Sequence, residues 1–304
     1  MQVFLTGGTG YVGSAILDAL LKAGHSVTAL VRDREKAARV RARGVNAIIG
    51  SLDAPPRWRD AASGADVVIH AAIDYVGNSA ESDRVVLDTV LPLAPPVFLY
   101  TSGVWVLGPA PTGVDEQAPV SQPAQISAWR AGHERRVLEA GRPGARTVVV
   151  RPGIVYGGAR GIVSDMLKDA GNGLIRVIGT GENHWPLVYD RDLGDLYVRL
   201  ATSGDASGIY HATDSAEETV NEIVEAIRAA VAQAPTVSQT PAVRHVPLDE
   251  ARKKLGPYAD ALALDQIVRS TRARRLGWTP MLRSVSGNVP RLLEEFRRGK
   301  EAAA

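Results

Sequence analysis

Apolar runs and helical periods alternate along the first half of the chain. Val3–Leu5 is a strand-type run, followed by a helical pattern from Ser14 to Ala23 that Gly24 closes. Ser26–Val31 is a second run rich in β-branched residues, and Arg34–Arg43 is a second helical pattern, closed by Gly44. Ala47–Ile49 and Asp66–His70 follow as strands, the latter with Val67-Val68-Ile69 as an unbroken apolar centre. Glu81–Leu91 has helical period and ends near Pro92; Pro95 and Pro96 introduce a strand over Val97–Tyr100. A long helix over Ser127–Ala140 and a strand over Thr147–Arg151 complete the pattern. Continuous apolar strands separated by helices need cover on both faces, which predicts a buried parallel sheet. Right-handed crossovers make such an α/β arrangement doubly wound.

The second half is less regular. Helical patterns are expected at Ile162–Ala170, Leu196–Thr202, Thr219–Ala232 and Pro290–Arg298, and short strands at Ile175–Ile178 and Gly208–His211. Gln233–Pro241 is rich in Pro, Thr and Gln and reads as a loop. No sharp linker separates the halves, so the division is read as woven. Residues 1–155 with 186–205 are expected to form one domain, and 156–185 with 206–304 a smaller lobe.

Composition narrows the function classes. The 304 residues are 45% hydrophobic and 22% charged, an ordinary balance for a globular chain. A net charge of +2 gives no general electrostatic case for nucleic acid. The absence of cysteine excludes thiolate nucleophiles, cysteine metal sites and disulfides, and fits a reducing compartment. No apolar run nears the roughly 20 residues that cross a bilayer. A cytoplasmic protein with a small-molecule substrate, no metal, and neither nucleic acid nor membrane as partner is the expectation.

The chemistry begins at the first strand. Thr6-Gly7-Gly8-Thr9-Gly10-Tyr11-Val12-Gly13 joins that strand directly to the first helix. Strand, glycine turn and helix is the context in which such a loop binds a dinucleotide. Gly7 permits a tight turn, Gly10 a close backbone approach to pyrophosphate, and Gly13 close packing of helix on strand. The helix N-terminus then faces the phosphates.

This loop resembles that of extended and atypical short-chain dehydrogenase/reductases, which include the NAD-dependent epimerase/dehydratase family. Further segments resemble the same family in order: His70-Ala71-Ala72, Tyr100-Thr101-Ser102-Gly103, Arg151-Pro152-Gly153-Ile154-Val155-Tyr156-Gly157, Trp185 to Leu193, and Ala273 to Pro280. The resemblance implies a Rossmann sheet and an NAD(P)-dependent oxidoreductase. It implies that Gly7, Thr9, Gly10, Tyr11, Val12, Gly13, Ala71, Ala72, Thr101, Pro152, Gly153 and Val155 surround the cofactor. It also implies a homodimer through the helices at Glu81–Leu91 and Ser127–Ala140.

The residue after the second strand selects the cofactor: an acid binds the ribose hydroxyl of NAD, an arginine the 2′-phosphate of NADP. Here the strand runs into Arg32-Asp33-Arg34. Arg32 points to NADP, while Asp33, one residue on, keeps NAD open. Arg32 and Arg34 could also simply open a solvated helix. After the third strand the resemblance places Ser51-Leu52, where the family often has Asp-Leu, at the adenine.

The family's catalytic Tyr-x-x-x-Lys pair is missing. No tyrosine has a lysine four residues later, and no lysine lies between Lys36 and Lys168. If Glu134 aligns with the family's glutamate, Arg130 stands at the lysine position and Ile126 at the tyrosine position. Arginine can support an anion but does not exchange protons, and isoleucine has none to give. Ser102 matches the family's catalytic serine or threonine. The proton is left to His133, to Tyr75 or to water; histidine as a residue type titrates in the right range, while the plainer reading of His133 is a histidine on the helix surface and of Tyr75 a packing residue. Asp74, Trp105, Trp129, Tyr156 and Trp185 are candidates for a substrate pocket. Three readings follow: an atypical NADP-dependent oxidoreductase transferring hydride to or from a small carbonyl or alcohol, a sugar-nucleotide epimerase or dehydratase, and a non-catalytic NADP sensor.

Overall fold

The computed structural model describes residues 1–74, 77–233 and 239–301. Along the chain run β1 (Gln2–Thr6), α1 (Tyr11–Lys22), β2 (Ser26–Val31), α2 (Arg34–Arg41), β3 (Asn46–Ile49), α3 (Arg59–Ser63), β4 (Val67–His70), α4 (Ser79–Leu93) and β5 (Val97–Thr101). Then come β6 (Ala110–Val114), α5 (Arg130–Glu139), β7 (Arg146–Pro152), β8 (Ile154–Tyr156), α6 (Gly161–Gly171), β9 (Leu174–Ile178), β10 (Leu187–Tyr189), α7 (Asp190–Thr202) and β11 (Gly208–Ala212). The last stretch holds α8 (Val220–Ala232), β12 (Ala242–Val246), α9 (Leu248–Leu255), α10 (Pro257–Leu262), β13 (Gln266–Val268), α11 (Thr271–Arg275) and α12 (Val289–Glu301).

The chain divides into two compact units. The first is Met1–Ser102, Trp129–Arg151 and Leu193–Tyr210; the second is Gly103–Ala128, Pro152–Asp192 and His211–Ala304. Residues 103–128, read with the first unit from the sequence, count with the second.

The first unit is built on a seven-stranded sheet in the order β11-β7-β5-β4-β1-β2-β3. The pairs from β7 through to β3 are all parallel. The apolar runs predicted this: β4 and most of β5 are buried on both faces. Phe4 stacks on Trp58 at 5.8 Å, in a core with Val68, Val86, Leu87, Phe98 and Val137. Because the strands are parallel, β1, β2, β4, β5 and β7 all end at one edge of the sheet. Ligands bind at that edge in open α/β sheets.

Two helix boundaries differ instructively from the sequence reading. Helix α1 starts at Tyr11 rather than Ser14, because Gly10 acts as its N-cap and Ser14 N–H already bonds Gly10 O at 2.9 Å. Tertiary packing overrides the poor helix propensity of Gly13 there. Helix α4 runs past Pro92 to Leu93 and stops where Ala94 turns left-handed at φ 46°. Pro92 lies in the last turn, where little helix remains to disrupt.

The second unit has three short parallel pairs, β8 with β10, β9 with β12, and β6 with β13. Its core gathers Tyr156, Ile175, Trp185, Leu187, Ile223, Ile227, Val285 and Leu292. Helix α8 opens on a capping box between Thr219 and Glu222. Among the described residues no helix is long and apolar enough to cross a membrane.

Candidate cofactor and active site

The carboxyl edge of the first unit's sheet carries a cavity of about 400 Å³. Gly7, Thr9, Gly10, Tyr11 and Val12 form one side, and Ala71, Ala72, Ile73 and Asp74 another. The end of β2 with Lys36, and Gly50, Ser51, Leu52 and Asp53 after β3, complete its lining together with Ser82. Gly7 has φ 78°, and a Cβ there would stand 2.6 Å from Ala71 O and Ala72 N. A Cβ on Gly13 would overlap Gly7 O. These two glycines therefore let the loop, the helix and the residues after β4 close on one another. No side chain caps α1 at Gly10, so the N–H groups of Val12 and Gly13 remain for an anion. The cradle fits the phosphates and adenosine of a dinucleotide.

At the adenosine end the charges sort themselves. Asp33 is the N-cap of α2: Oδ1 accepts Lys36 N–H at 2.8 Å and Oδ2 pairs with Lys36 Nζ at 2.8 Å. These bonds from Lys36 hold its carboxyl below the usual range. Arg32 is exposed and makes no hydrogen bond or ion pair among the described residues. The acid is committed to the helix and the guanidinium is available.

Where the nicotinamide end is expected, β5 delivers Thr101 and Ser102. Thr101 Oγ1 bonds Tyr197 Oη at 2.6 Å, and Thr101 O accepts Arg130 Nη1 at 2.7 Å. Ser102 N–H donates to Val150 O at 2.7 Å, while its buried Oγ has no partner among the described residues. A buried hydroxyl without a partner is costly. One turn after Arg130, buried Glu134 takes a forked bond from Arg151, with Nε at 3.0 Å and Nη2 at 2.6 Å. This pair pins α5 to the end of β7 and sets its rotation. The Arg130 guanidinium lies 4.5 Å from the Trp129 ring centroid.

The rotation of α5 brings His133 onto Asp83 of α4. His133 Nδ1 lies 2.7 Å from Asp83 Oδ2. Tyr100 Oη donates to the same oxygen at 2.7 Å, and His70 Nε2 meets Oδ1 at 2.8 Å. His70 Nδ1 and Thr6 Oγ1 share the next bond at 2.7 Å, and Ala72 N–H donates to Thr6 Oγ1 at 3.3 Å. Asp83 is only 4% exposed. Burial alone would raise its carboxyl, but the two histidines bonded to it, with Arg130 nearby, hold it well below the usual carboxylate range. Burial and the charge of Asp83 push the Tyr100 phenol well above its ordinary value, so Tyr100 stays a donor.

Ten of the residues expected at the cofactor line the cavity: Gly7, Thr9, Gly10, Tyr11, Val12, Arg32, Ser51, Leu52, Ala71 and Ala72. Gly13 lies beneath it, and Thr101 stands with Arg130 at the end of β5. Pro152, Gly153 and Val155 belong to the second unit. Of the substrate candidates, Asp74 lines the cavity and Trp129 packs edge-on against His133 at 5.1 Å. Tyr156 and Trp185 are buried in the core of the second unit, Trp185 donating to Leu262 O at 2.9 Å. Trp105 is half-buried against Tyr258 at 6.0 Å. Tyr75 lies outside the described residues.

Sequence reasoning missed Lys36, although a basic residue three positions after a capping aspartate was a usable sign. It also missed Asp83. The signal there was a carboxylate on the apolar stripe Asp83, Val86, Leu87, Val90, at the spacing of a buried helix face.

Comparison with known proteins agrees with this geometry. Residues 3–213 match the profile of the NAD dependent epimerase/dehydratase family. An uncharacterised protein of Schizosaccharomyces pombe is 30% identical, over 92% of this chain and 95% of its own. A 4-hydroxy-2-methyl-3-oxo-4-farnesyl-3,4-dihydroquinoline-1-oxide ketoreductase of Stigmatella aurantiaca is 38% identical, over 52% of this chain and 51% of its own. Among solved structures, human epimerase family protein SDR39U1 with NADPH superposes with a TM-score of 0.75 at 22% identity, covering 97% of this chain and 99% of that one.

Proposed function

The chain belongs to the NAD-dependent epimerase/dehydratase family and is an NAD(P)-dependent oxidoreductase of it, and from that premise we propose that it is an NADP(H)-dependent reductase of small ketones or aldehydes. The observation that carries the cofactor preference is the state of Arg32-Asp33. Each oxygen of Asp33 already accepts a hydrogen bond from Lys36, so part of its accepting capacity is spent on the helix rather than on a ribose diol. Arg32 and Lys36 both line the cavity and offer a 2′-phosphate charged donors. The ketoreductase relative and the NADPH-bound structural neighbour support the same reading.

A reduced nicotinamide bound in this cavity would supply the hydride. The Ser102 hydroxyl, unpartnered at the end of β5, donates a hydrogen bond to the carbonyl oxygen as charge develops there. His133 supplies the proton to that oxygen, the task that Ile126 cannot perform. Arg130 stays charged and holds the end of β5 through Thr101 O, steadying the site without exchanging protons.

Titration of the purified protein with NADPH and NADH, followed by turnover against ketones, aldehydes, enones and sugar nucleotides, tests the proposal. NADPH should bind about tenfold tighter than NADH, the scale of a lost charge-assisted bond, and Arg32→Ser should erase that difference. Reduction of at least one ketone or aldehyde should fall in Ser102→Ala by about a hundredfold. Tighter binding of NADH contradicts the cofactor assignment. Turnover of sugar nucleotides alone, or firm NADPH binding with no turnover at all, contradicts the reductase.

A further inference from the structure

Asp83 lies one helix away from the groups assigned to chemistry, yet it receives hydrogen bonds from three side chains on three elements. Those are His70 on β4, Tyr100 on β5 and His133 on α5. An ionised carboxylate only accepts, so each of these groups must present its hydrogen to Asp83. For His133 that fixes the proton on Nδ1 and leaves Nε2 as the nitrogen that gains or loses one. A carboxylate behind an imidazole in this way sets its tautomer, holds its orientation and stabilises the imidazolium. The network continues through His70 to Thr6 Oγ1, at the last residue before the glycine loop. The histidine is thereby tied to the frame that positions the cofactor.

We propose that Asp83 is the positioning residue of the site, holding His133 by Nδ1 so that Nε2 delivers the proton in carbonyl reduction. The proposal rests on the reading of His133 as proton donor. In the step itself, the carbonyl carbon gains the hydride from the reduced cofactor, which is oxidised. The carbonyl oxygen takes the proton from His133 Nε2, leaving a neutral ring still donating Nδ1–H to Asp83. Solvent then restores the proton at Nε2. Asp83 keeps its charge throughout. Arg130 on α5 adds positive charge near Asp83, and Glu134 on the same helix, paired with Arg151 of β7, adds negative charge near Tyr100.

The test begins with the protein free of cofactor. Nitrogen-15 NMR of the histidine rings, with His133 identified by the signal that His133→Gln removes, should show Nδ1 protonated. Asp83→Asn should move that signal or transfer the proton to Nε2. In steady-state kinetics Asp83→Asn should lower kcat about tenfold or more, with KM for NADPH changed less than about threefold. A wild-type ring with bare Nδ1 overturns the proposal without any need for the variant to fold. An unaltered His133 signal in folded Asp83→Asn also overturns it. A displaced signal with unchanged kcat leaves Asp83 gripping the ring but removes His133 from the chemistry, and overturns the underlying reading instead.

Discussion

Asp83 in the first unit and Asp214 in the second are both 4% exposed, and their surroundings give them opposite characters. Asp83 has donors on both oxygens and is held well below the usual carboxylate range. Asp214 Oδ1 accepts Ala216 N–H at 3.0 Å, and Oδ2 has no partner among the described residues. Burial, with the charge of Glu218 adding to it, pushes the Asp214 carboxyl up to about 7. Desolvation alone raises either carboxyl; what separates them is the number of donors. The donors on Asp83 belong to the elements that build the cofactor site, whereas Asp214 sits against the core residue Tyr156. The same residue type is thus a fixed charge in one unit and a near-neutral titrating group in the other.

The largest expected effect comes from removing the fixed charge. Asp83→Ala leaves buried His70 and Tyr100 and half-buried His133 without their acceptor, and urea unfolding at pH 7 should show a loss of about 3–5 kcal/mol. A loss under about 1 kcal/mol would erase the contrast. Next comes the slope of stability with pH for Asp214. Its raised value means that stability is full below the unfolded value near 4 and is lost as pH rises to about 7. Asp214→Asn should therefore stabilise the protein by about 2–4 kcal/mol at pH 8 and by far less at pH 4, in parallel denaturant series. Asp83 runs the other way: its depressed value contributes stability above pH ~4 that is lost as pH falls below it, so acid titration of Asp83→Asn should show a shallower loss than the wild type.

Glu116 sharpens the comparison as an intermediate case. Its Oε1 accepts two backbone N–H groups, from His211 at 3.2 Å and Arg272 at 3.1 Å, while Oε2 has none among the described residues. Burial raises its carboxyl despite those bonds. Glu116→Gln should stabilise at pH 8 by less than Asp214→Asn, about 1 kcal/mol, and a larger gain than Asp214→Asn would break the ordering by donors.

The sequence made the sheet legible because buried parallel strands read as unbroken apolar runs, and β2 matched residue for residue. The adenosine half of the site was legible for a related reason: its residues sit in loops that directly follow those runs. The short strands β6 and β13 were not, since Ala-Pro-Thr-Gly-Val and Gln-Ile-Val carry no period. The Asp83 cluster was illegible for a deeper reason. Thr6, His70, Asp83, Tyr100 and His133 are far apart in the chain, and only the strand order β5-β4-β1 and the rotation of α5 bring them together. In the sequence His133 reads first as a surface histidine, because nothing in its own helix announces Asp83 against its Nδ1.

The most direct test of the account is single-turnover oxidation of bound NADPH by a reducible ketone or aldehyde in wild type and His133→Gln. NADPH affinity should be unchanged and the rate about a hundredfold or more slower in the variant, the contribution of a positioned general acid. Equal rates in the two proteins would contradict it.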